Sequence, residues 1–196
     1  MPMTTFTKNT LRYWKKVAIQ KHQLPPNLIE QFATGLDRGE FPLDQAGLVL
    51  LILGEGNARS TRPIVERYLT HDDPWLRYNA LSALVLDWGL EDHRTTCIRM
   101  LQEDPDEDNR GMAARCLGSL YQATHDPETL RLLLQLFFNE NEDKLVREST
   151  YDAILDVVGI SSRERPSRAK EWTWDTDINW KLLNDLQQKY GKSPGK

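Results

Sequence analysis

The sequence contains no apolar run long enough to cross a membrane. The longest covers little more than Gly47–Leu53, whereas a membrane-spanning helix needs about 20 apolar residues. The first thirty residues also lack the continuous apolar core and small-residue cleavage site of a secretory signal. These absences predict a soluble, cytoplasmic protein that does not attach to a membrane.

Cysteine is scarce, with only Cys97 and Cys116 in a chain of 196 residues. Two thiols do not make the disulfide framework of a small secreted domain, so we expect both to be reduced. Each lies among apolar residues, where a thiol is typically buried and inert. The sequence also has no Gly-x-Ser-x-Gly nucleophile motif and no Gly-rich phosphate loop after a strand. It therefore predicts a protein without enzymatic activity.

Acidic residues are missing from residues 1–29, which carry five cations and no carboxylate. Residues 163–196 have a net charge of +3, and because the whole chain totals −4, residues 30–162 hold −12. An acidic body repels phosphate backbones, since nucleic acids are bound by Lys and Arg side chains that displace counterions. We therefore favour a protein partner with a basic surface over a nucleic acid.

Strand signals are nearly absent, and apolar residues recur instead at helical spacing. Comparing the sequence with itself exposes a repeat of helix pairs, because a pattern in the second helix recurs after 33 and then 37 residues. The three matching sets are Asp73, Arg77, Ala80, Ala83 and Leu84; Asp106, Arg110, Ala113, Cys116 and Leu117; and Asp143, Arg147, Thr150, Ala153 and Ile154. A fourth, degenerate pair precedes them in the chain. The pattern predicts an all-α solenoid of about four helix pairs.

The run from Asp73-Pro74 through Arg77, Ala80 and Leu84 resembles a HEAT repeat, closest to the short variety of phycobilin lyases. The resemblance implies an α-α superhelix and indicates little about function, because the same fold serves adaptors, regulatory subunits, bilin lyases, an iron hydroxylase and a DNA glycosylase. The hydroxylase binds iron through His-Glu pairs, and this sequence has none. We expect no metal and no cofactor.

The organisation that we predict is one solenoid domain over residues 1–196. Its repeat core covers about residues 27–158, with a capping helix at 5–22 and a Trp-rich cap at 171–190. The acid and the arginine of each repeat are four residues apart, which places them on one side of a helix. We therefore predict a ladder of structural ion pairs: Asp73 with Arg77, Asp106 with Arg110, and Asp143 with Arg147.

Three tryptophans lie close together near the C-terminus, at Trp172, Trp174 and Trp180. So many large aromatic side chains are not expected in a solvated tail. Two alternatives remain open: the tryptophans pack on the last repeat as a cap, or they form a second partner-binding patch. At the other end, the basic first helix suits either a solenoid cap, which we favour, or a membrane surface.

The function that these features indicate is a non-catalytic protein-interaction module, an adaptor, regulatory or immunity-type protein. We expect it to bind its partner on the concave face of the second helices, off the Ala and Leu positions that pack the repeats. An accessory protein like the bilin lyases is the alternative, and a DNA-binding relative of the glycosylase comes third. The oligomeric state stays open. The predicted binding residues are Trp75, Tyr78, Ser82, Met112, Arg115, Glu148 and Tyr151.

Overall fold

A computed structural model describes residues 6–165 and 173–191, and Trp172 lies outside this range. Within it the chain is all-α and contains no strand, which confirms the predicted fold class. Helix α5 continues as a π-helix over Ser82–Asp87. The α-helices are α1 Lys8–Lys21, α2 Pro26–Asp37, α3 Leu43–Glu55, α4 Arg62–Arg67, α5 Pro74–Leu81, α6 Arg94–Glu103, α7 Glu107–Leu120, α8 Pro127–Phe137, α9 Lys144–Val157, α10 Trp174–Asp177 and α11 Trp180–Tyr190.

Four consecutive helix pairs account for the middle of the chain: α2 with α3, α4 with α5, α6 with α7, and α8 with α9. The predicted number of pairs is therefore confirmed. Contacts divide the chain into two compact units, Met1–Arg99 and Met100–Lys196, which are described in turn. The assignment of the whole chain to one domain stays a prediction.

Aspartate side chains cap the N-termini of several of these helices. Asp73 accepts a hydrogen bond from the Leu76 amide at 3.2 Å, and Asp106 accepts one from the Asn109 amide at 3.1 Å. Asp143 accepts one from the Leu145 amide at 2.8 Å. The first amides of a helix have no partner within it, so each cap stabilises the helix by about 1 kcal/mol. The acid of each repeat is thus an N-cap.

The arginine of each repeat bonds to the turn before its own helix. Arg77 donates to the carbonyl oxygens of His71 and Asp72 at 2.8 and 2.9 Å, and Arg147 donates to that of Phe137 at 2.9 Å. Arg110 donates to the Asp104 carbonyl oxygen and forms an ion pair with Glu142 at 2.9 Å.

The predicted ion pairs are therefore wrong for the second and third repeats. Asp106 and Asp143 cap helices, while Arg110 and Arg147 bond elsewhere. The physical reason is that a four-residue spacing places two side chains on one helix face without deciding whether they bond to each other. Unsatisfied amides and carbonyls at the adjacent turn compete for the same groups.

In the first unit, helix α3 packs against α1, α2 and α5. Its side chains Leu50, Ile52 and Leu53 have no exposed surface, as expected for a helix that is apolar on all sides. Phe6 packs on Phe32 with their ring centroids 4.9 Å apart. The first helix therefore covers one side of α3, as a cap would.

In the second unit, α9 packs against both α7 and α8, and α11 packs against α8. Trp174 stacks on Phe137 with centroids 5.5 Å apart, and the Arg147 guanidinium lies 4.2 Å from the Trp174 ring centroid. Trp180 lies 5.8 Å from Phe137. Trp174 and Trp180 thus adopt the arrangement expected of a cap on the last helix pair, one of the two alternatives that the sequence left open.

Glycines let the second helices approach one another closely in each unit. An added Cβ at Gly47 or Gly54 of α3 would overlap the side chains of Trp75 or Asp87. On α7, a Cβ at Gly118 would lie 2.8 Å from the Ala153 Cα. Gly47 and Gly54 are seven residues apart, as are Gly111 and Gly118 of α7. Because seven residues are about two helical turns, both glycines of each pair face the same neighbouring helix.

Candidate functional site

Two of the seven predicted binding residues are buried. Met112 has 3% of its surface exposed and Tyr151 has 2%, so the expectation that they stand on an open surface is wrong. The Tyr151 hydroxyl accepts a hydrogen bond from the Asn179 amide at 3.0 Å, because the segment between α10 and α11 packs over it. Sequence periodicity could not reveal a cover contributed by residues 28 positions away.

The predicted binding residues on α5, Trp75 and Tyr78, remain accessible. The Trp75 side chain is 49% exposed and stacks on the ring of Tyr78, with centroids 5.7 Å apart and planes inclined by 15°. Its indole lies directly over Gly47 of α3. Ser82, half-buried, begins the π-helix. Together, Trp75 and Tyr78 present an aromatic surface that is supported by the contact between α3 and α5.

An open groove of about 340 Å³ lies between α7 and α9 in the second unit. It forms because Gly111 brings the helices together opposite a small residue: a Cβ at Gly111 would lie 2.9 Å from the Ser149 Oγ. Leu145 is exposed at its edge. The lining contains both remaining predicted residues, Arg115 and Glu148, and is completed by Asp108, Gly111, Leu145, Ser149 and Asp152.

Negative charge dominates this α7–α9 groove. Its lining contains the carboxylates of Asp108, Glu148 and Asp152 and one guanidinium, that of Arg115. The Glu148 Oε1 atom is buried without a hydrogen bond, and its ion-pair partner, the Lys144 ammonium, is 3.7 Å away. A cation entering the groove would be attracted electrostatically by the excess carboxylate charge.

Most of the groove residues cannot be recognised in the sequence, because their roles depend on contacts between helices. Asp108, Leu145, Ser149 and Asp152 carry no motif and were not among the expected binding residues. The one available signal is the spacing of Gly111 and Gly118 on α7. Two glycines that are two turns apart in an amphipathic helix indicate a close helix contact.

A second polar pocket, of about 390 Å³, lies in the first unit beside Asp87. The pKa of Asp87 is raised to about 7, chiefly by burial and also by the charge of nearby Glu55, while His22 opposes the shift. The Asp87 Oδ2 atom is buried without a hydrogen bond. The lining also includes Gly54, Asn57, Arg59 and Leu86.

The described residues contain no cluster of His, Cys, Asp and Glu that could hold a metal ion. His93 is buried, and its Nε2 lies 3.1 Å from a Glu66 carboxylate oxygen. Cys97 and Cys116 are buried, as expected, and no disulfide joins them. A buried thiol is poorly placed to attack a solute molecule. Over the described ranges, no helix has the length and apolarity to span a bilayer.

Comparison with known proteins identifies the fold family. Residues 61–155 match the family model for HEAT repeats, which covers the pairs from α4 to α9. This part of the chain therefore consists of HEAT repeats, and the fold belongs to the α-solenoid class. No curated protein matches the chain. HEAT repeats are generally protein-interaction scaffolds and are typically non-enzymatic.

Proposed function

We propose that this protein is a non-catalytic interaction module that binds a partner protein through its second helices. The α7–α9 groove is the observation that carries the proposal. It is open and lined on both sides by side chains of second helices, and its volume falls in the range of recognition pockets. The family supplies the general expectation of protein binding.

The partner that fits the groove presents a basic side chain. Three carboxylates against the Arg115 guanidinium and the Lys144 ammonium leave an excess of negative charge, and the exposed Leu145 supplies apolar surface beside it. An arginine suits this lining best, because its planar guanidinium forms paired hydrogen bonds with carboxylates and its stem packs on apolar atoms. The net charge of −12 over residues 30–162 favours the same kind of partner.

The stacked Trp75 and Tyr78 rings support protein binding in the first unit. Tryptophan and tyrosine are enriched among the residues that contribute most to protein interfaces. Here the indole rests on Gly47 and is held by the neighbouring ring, so little conformational entropy remains to be lost on binding. Met112 and Tyr151 are no longer part of the proposed surface.

The two alternative functions have less support. A bilin carries carboxylates and DNA carries phosphates, and both would meet like charge in the α7–α9 groove. Neither buried cysteine is placed to react with a pigment. The two free thiols favour a reducing compartment, so the proposed location is cytoplasmic.

The test uses site-specific photo-cross-linking in the native cell. A photoreactive amino acid replaces the exposed Asp108 at the groove, and a matched variant carries it at the exposed Gln135 on α8. We expect one protein to be cross-linked from position 108 and not from 135, with the cross-linked peptide rich in Arg or Lys. Equal labelling from both positions, or an acidic peptide at the groove, would contradict the proposal.

A further inference from the structure

Helix α1 has an outer face that nothing else in the described first unit covers. Leu11 and Ala18 are fully buried on its inner face, and the helix packs on α3. On the outer side Arg12 and Lys16 are exposed, and Tyr13 and Ile19 have 59% and 43% of their surface exposed. The cap therefore carries apolar and cationic side chains that its structural role does not require.

The charge on this helix is almost wholly uncompensated. Residues 6–29 contain no acid. Lys8 forms an ion pair with Asp44 at 2.6 Å. Among the described residues, none of the other four cations forms an ion pair. These cations are Arg12, Lys15, Lys16 and Lys21.

An apolar groove of about 330 Å³ lies between α1 and the turn that follows it. Tyr13 and Trp14 meet edge to face with centroids 5.2 Å apart and form part of its lining. Pro25 and Pro26, from the turn before α2, also line it. Lys21 places an ammonium group at the same groove. The remaining lining residues are Val17, Gln23 and Leu24.

We propose that the Tyr13–Pro26 groove binds an acidic segment of a partner protein that carries one apolar side chain. The apolar side chain would occupy the groove between the aromatic rings and the prolines. Flanking carboxylates would meet Lys21 on one side and Arg12 and Lys16 on the other. This surface lies on the first helix and differs in sign from the α7–α9 groove, so it stands or falls independently of the function proposed above.

The arrangement of the side chains argues against a lipid surface. A helix that lies in a membrane has its apolar residues at the centre of the buried face, with Lys and Arg at the flanks. On the exposed face of α1, Arg12 and Lys16 lie between Ile19 and Tyr13, so the cations separate the two most exposed apolar side chains. The apolar centre, formed by Leu11 and Ala18, is already buried against α3.

A nucleic acid fits less well than a peptide. Phosphates would use the cations, but the groove lining of Trp14, Val17, Leu24 and the two prolines offers apolar surface. An acidic peptide uses both features, because apolar and charged groups alternate along its chain. Apolar contact and charge together provide both affinity and a strong dependence on salt.

The probe is a library of random peptides displayed on phage, with the full-length protein as bait. We expect enrichment of peptides in which Asp and Glu flank a single apolar residue. A synthetic copy of an enriched peptide is then titrated against the protein. Tyr13→Ser and Lys16→Glu should each weaken its binding about tenfold, while the matched charge reversal Lys181→Glu on α11 should leave it unchanged.

Both replaced side chains are solvent-exposed, so the variants should keep the helical circular dichroism spectrum and the unfolding midpoint of the wild type. Enrichment of neutral or basic peptides, or equal binding by wild type and both variants, would overturn the proposal. If the protein bound phosphatidylserine vesicles or DNA more strongly than it bound the selected peptide, this face would be assigned to a lipid or a nucleic acid instead. Vesicle binding is measured by sedimentation and DNA binding by retention of the protein.

Discussion

A close glycine contact between neighbouring second helices appears in both units. The side chains at the ends of this contact differ between the units. In the first unit, α3 presents Gly54 to α5, and Asp87 lies over that glycine. In the second, α7 presents Gly118 to α9, and a Cβ there would lie 3.0 Å from Asp156. The π-helix that continues α5 adds one residue to this helix. Asp87, which is 14 positions after Asp73, therefore corresponds to Asp156, which is 13 positions after Asp143.

What differs is the surroundings of the two carboxylates. Arg165 donates a hydrogen bond to Asp156, whereas Asp87 has a buried oxygen without a hydrogen bond and faces Glu55. At the other end of the same contacts, the Trp75 indole covers Gly47, while Leu145 and Ser149 leave the space beside Gly111 open. The contact itself belongs to the fold, and the side chains at its two ends distinguish the units.

The largest effect is expected at the backbone contact of the second unit. Gly118→Ala places a Cβ 2.8 Å from the Ala153 Cα, and two helices must separate to accommodate it. We expect the free energy of unfolding to fall by about 2–3 kcal/mol, the upper part of the range for an overpacked core, because backbone must move. Urea denaturation measures the change, and Ser119→Ala, one residue further along at an exposed position, should change it little. Equal stability of the two variants would contradict the account.

Removing Arg165 from the second unit should make the surroundings of the Asp156 carboxylate resemble those of Asp87 in the first unit. Arg165 is largely buried and also donates to the Ile160 carbonyl oxygen at 3.0 Å. Arg165→Gln is expected to lower the free energy of unfolding by about 2 kcal/mol, because Asp156 loses its partner. The measurement is again urea denaturation, with the exposed Arg99→Gln as the control. An unchanged midpoint would show that Asp156 is solvated without Arg165.

In the first unit, neutralising the carboxylate should be stabilising, and more so at high pH. The pKa of Asp87 is about 7 in the folded protein against an ordinary value of 3.8, so the folded state binds the proton more tightly. Stability therefore decreases as the pH rises from about 4 to about 7. Asp87→Asn removes that loss, and the gain should be on the order of 1 kcal/mol at pH 8, since water screens a partly buried group.

The check on this prediction is the difference between wild type and Asp87→Asn in urea midpoints, measured at pH 8 and pH 5. The difference should shrink at the lower pH. Asp72→Asn, at an exposed position of the same unit, should show no such trend. A difference that grows toward pH 5 would reverse the sign of the argument.

The smallest effect is expected where a side chain, and not backbone, faces the glycine. A Cβ at Gly47 meets the edge of the Trp75 indole, a half-exposed side chain that can be displaced toward solvent without a shift of the backbone. Gly47→Ala should cost less than about 1 kcal/mol, because higher helix propensity offsets part of the lost contact. Tryptophan fluorescence should shift to the red as the ring enters water. A loss as large as that of Gly118→Ala would show that the indole is held rigidly.

Much of the fold is predictable from sequence because its determinants are local. The Asp N-caps, the Ala and Leu positions and the repeat spacing all lie within single helix pairs, and they predict the helix pairs correctly. The partners of Arg110 and Arg147 are not predictable in this way, because a carboxylate on the same helix and a carbonyl on the preceding turn satisfy the same spacing. Bonding to the turn wins where it also satisfies an otherwise unpaired carbonyl.

The candidate surface was harder to predict, because it depends on which residues are covered by distant parts of the chain. Tyr151 has the same helical phase as an exposed anchor, yet Asn179 lies over it. The α7–α9 groove arises from two small residues on different helices, Gly111 and Ser149. Neither has a side chain that attracts notice in a sequence.

The most direct test of the proposed binding surface fills the α7–α9 groove from within. Ser149→Arg places a guanidinium beside the carboxylates of Glu148 and Asp152, where it competes with the basic side chain of the partner. The measured quantity is the photo-cross-linking yield from position 108, with Gln135→Arg on α8 as the control. We predict that Ser149→Arg abolishes the cross-linked product while the control retains it. An undiminished yield from a folded Ser149→Arg protein would contradict the claim that the groove binds the partner.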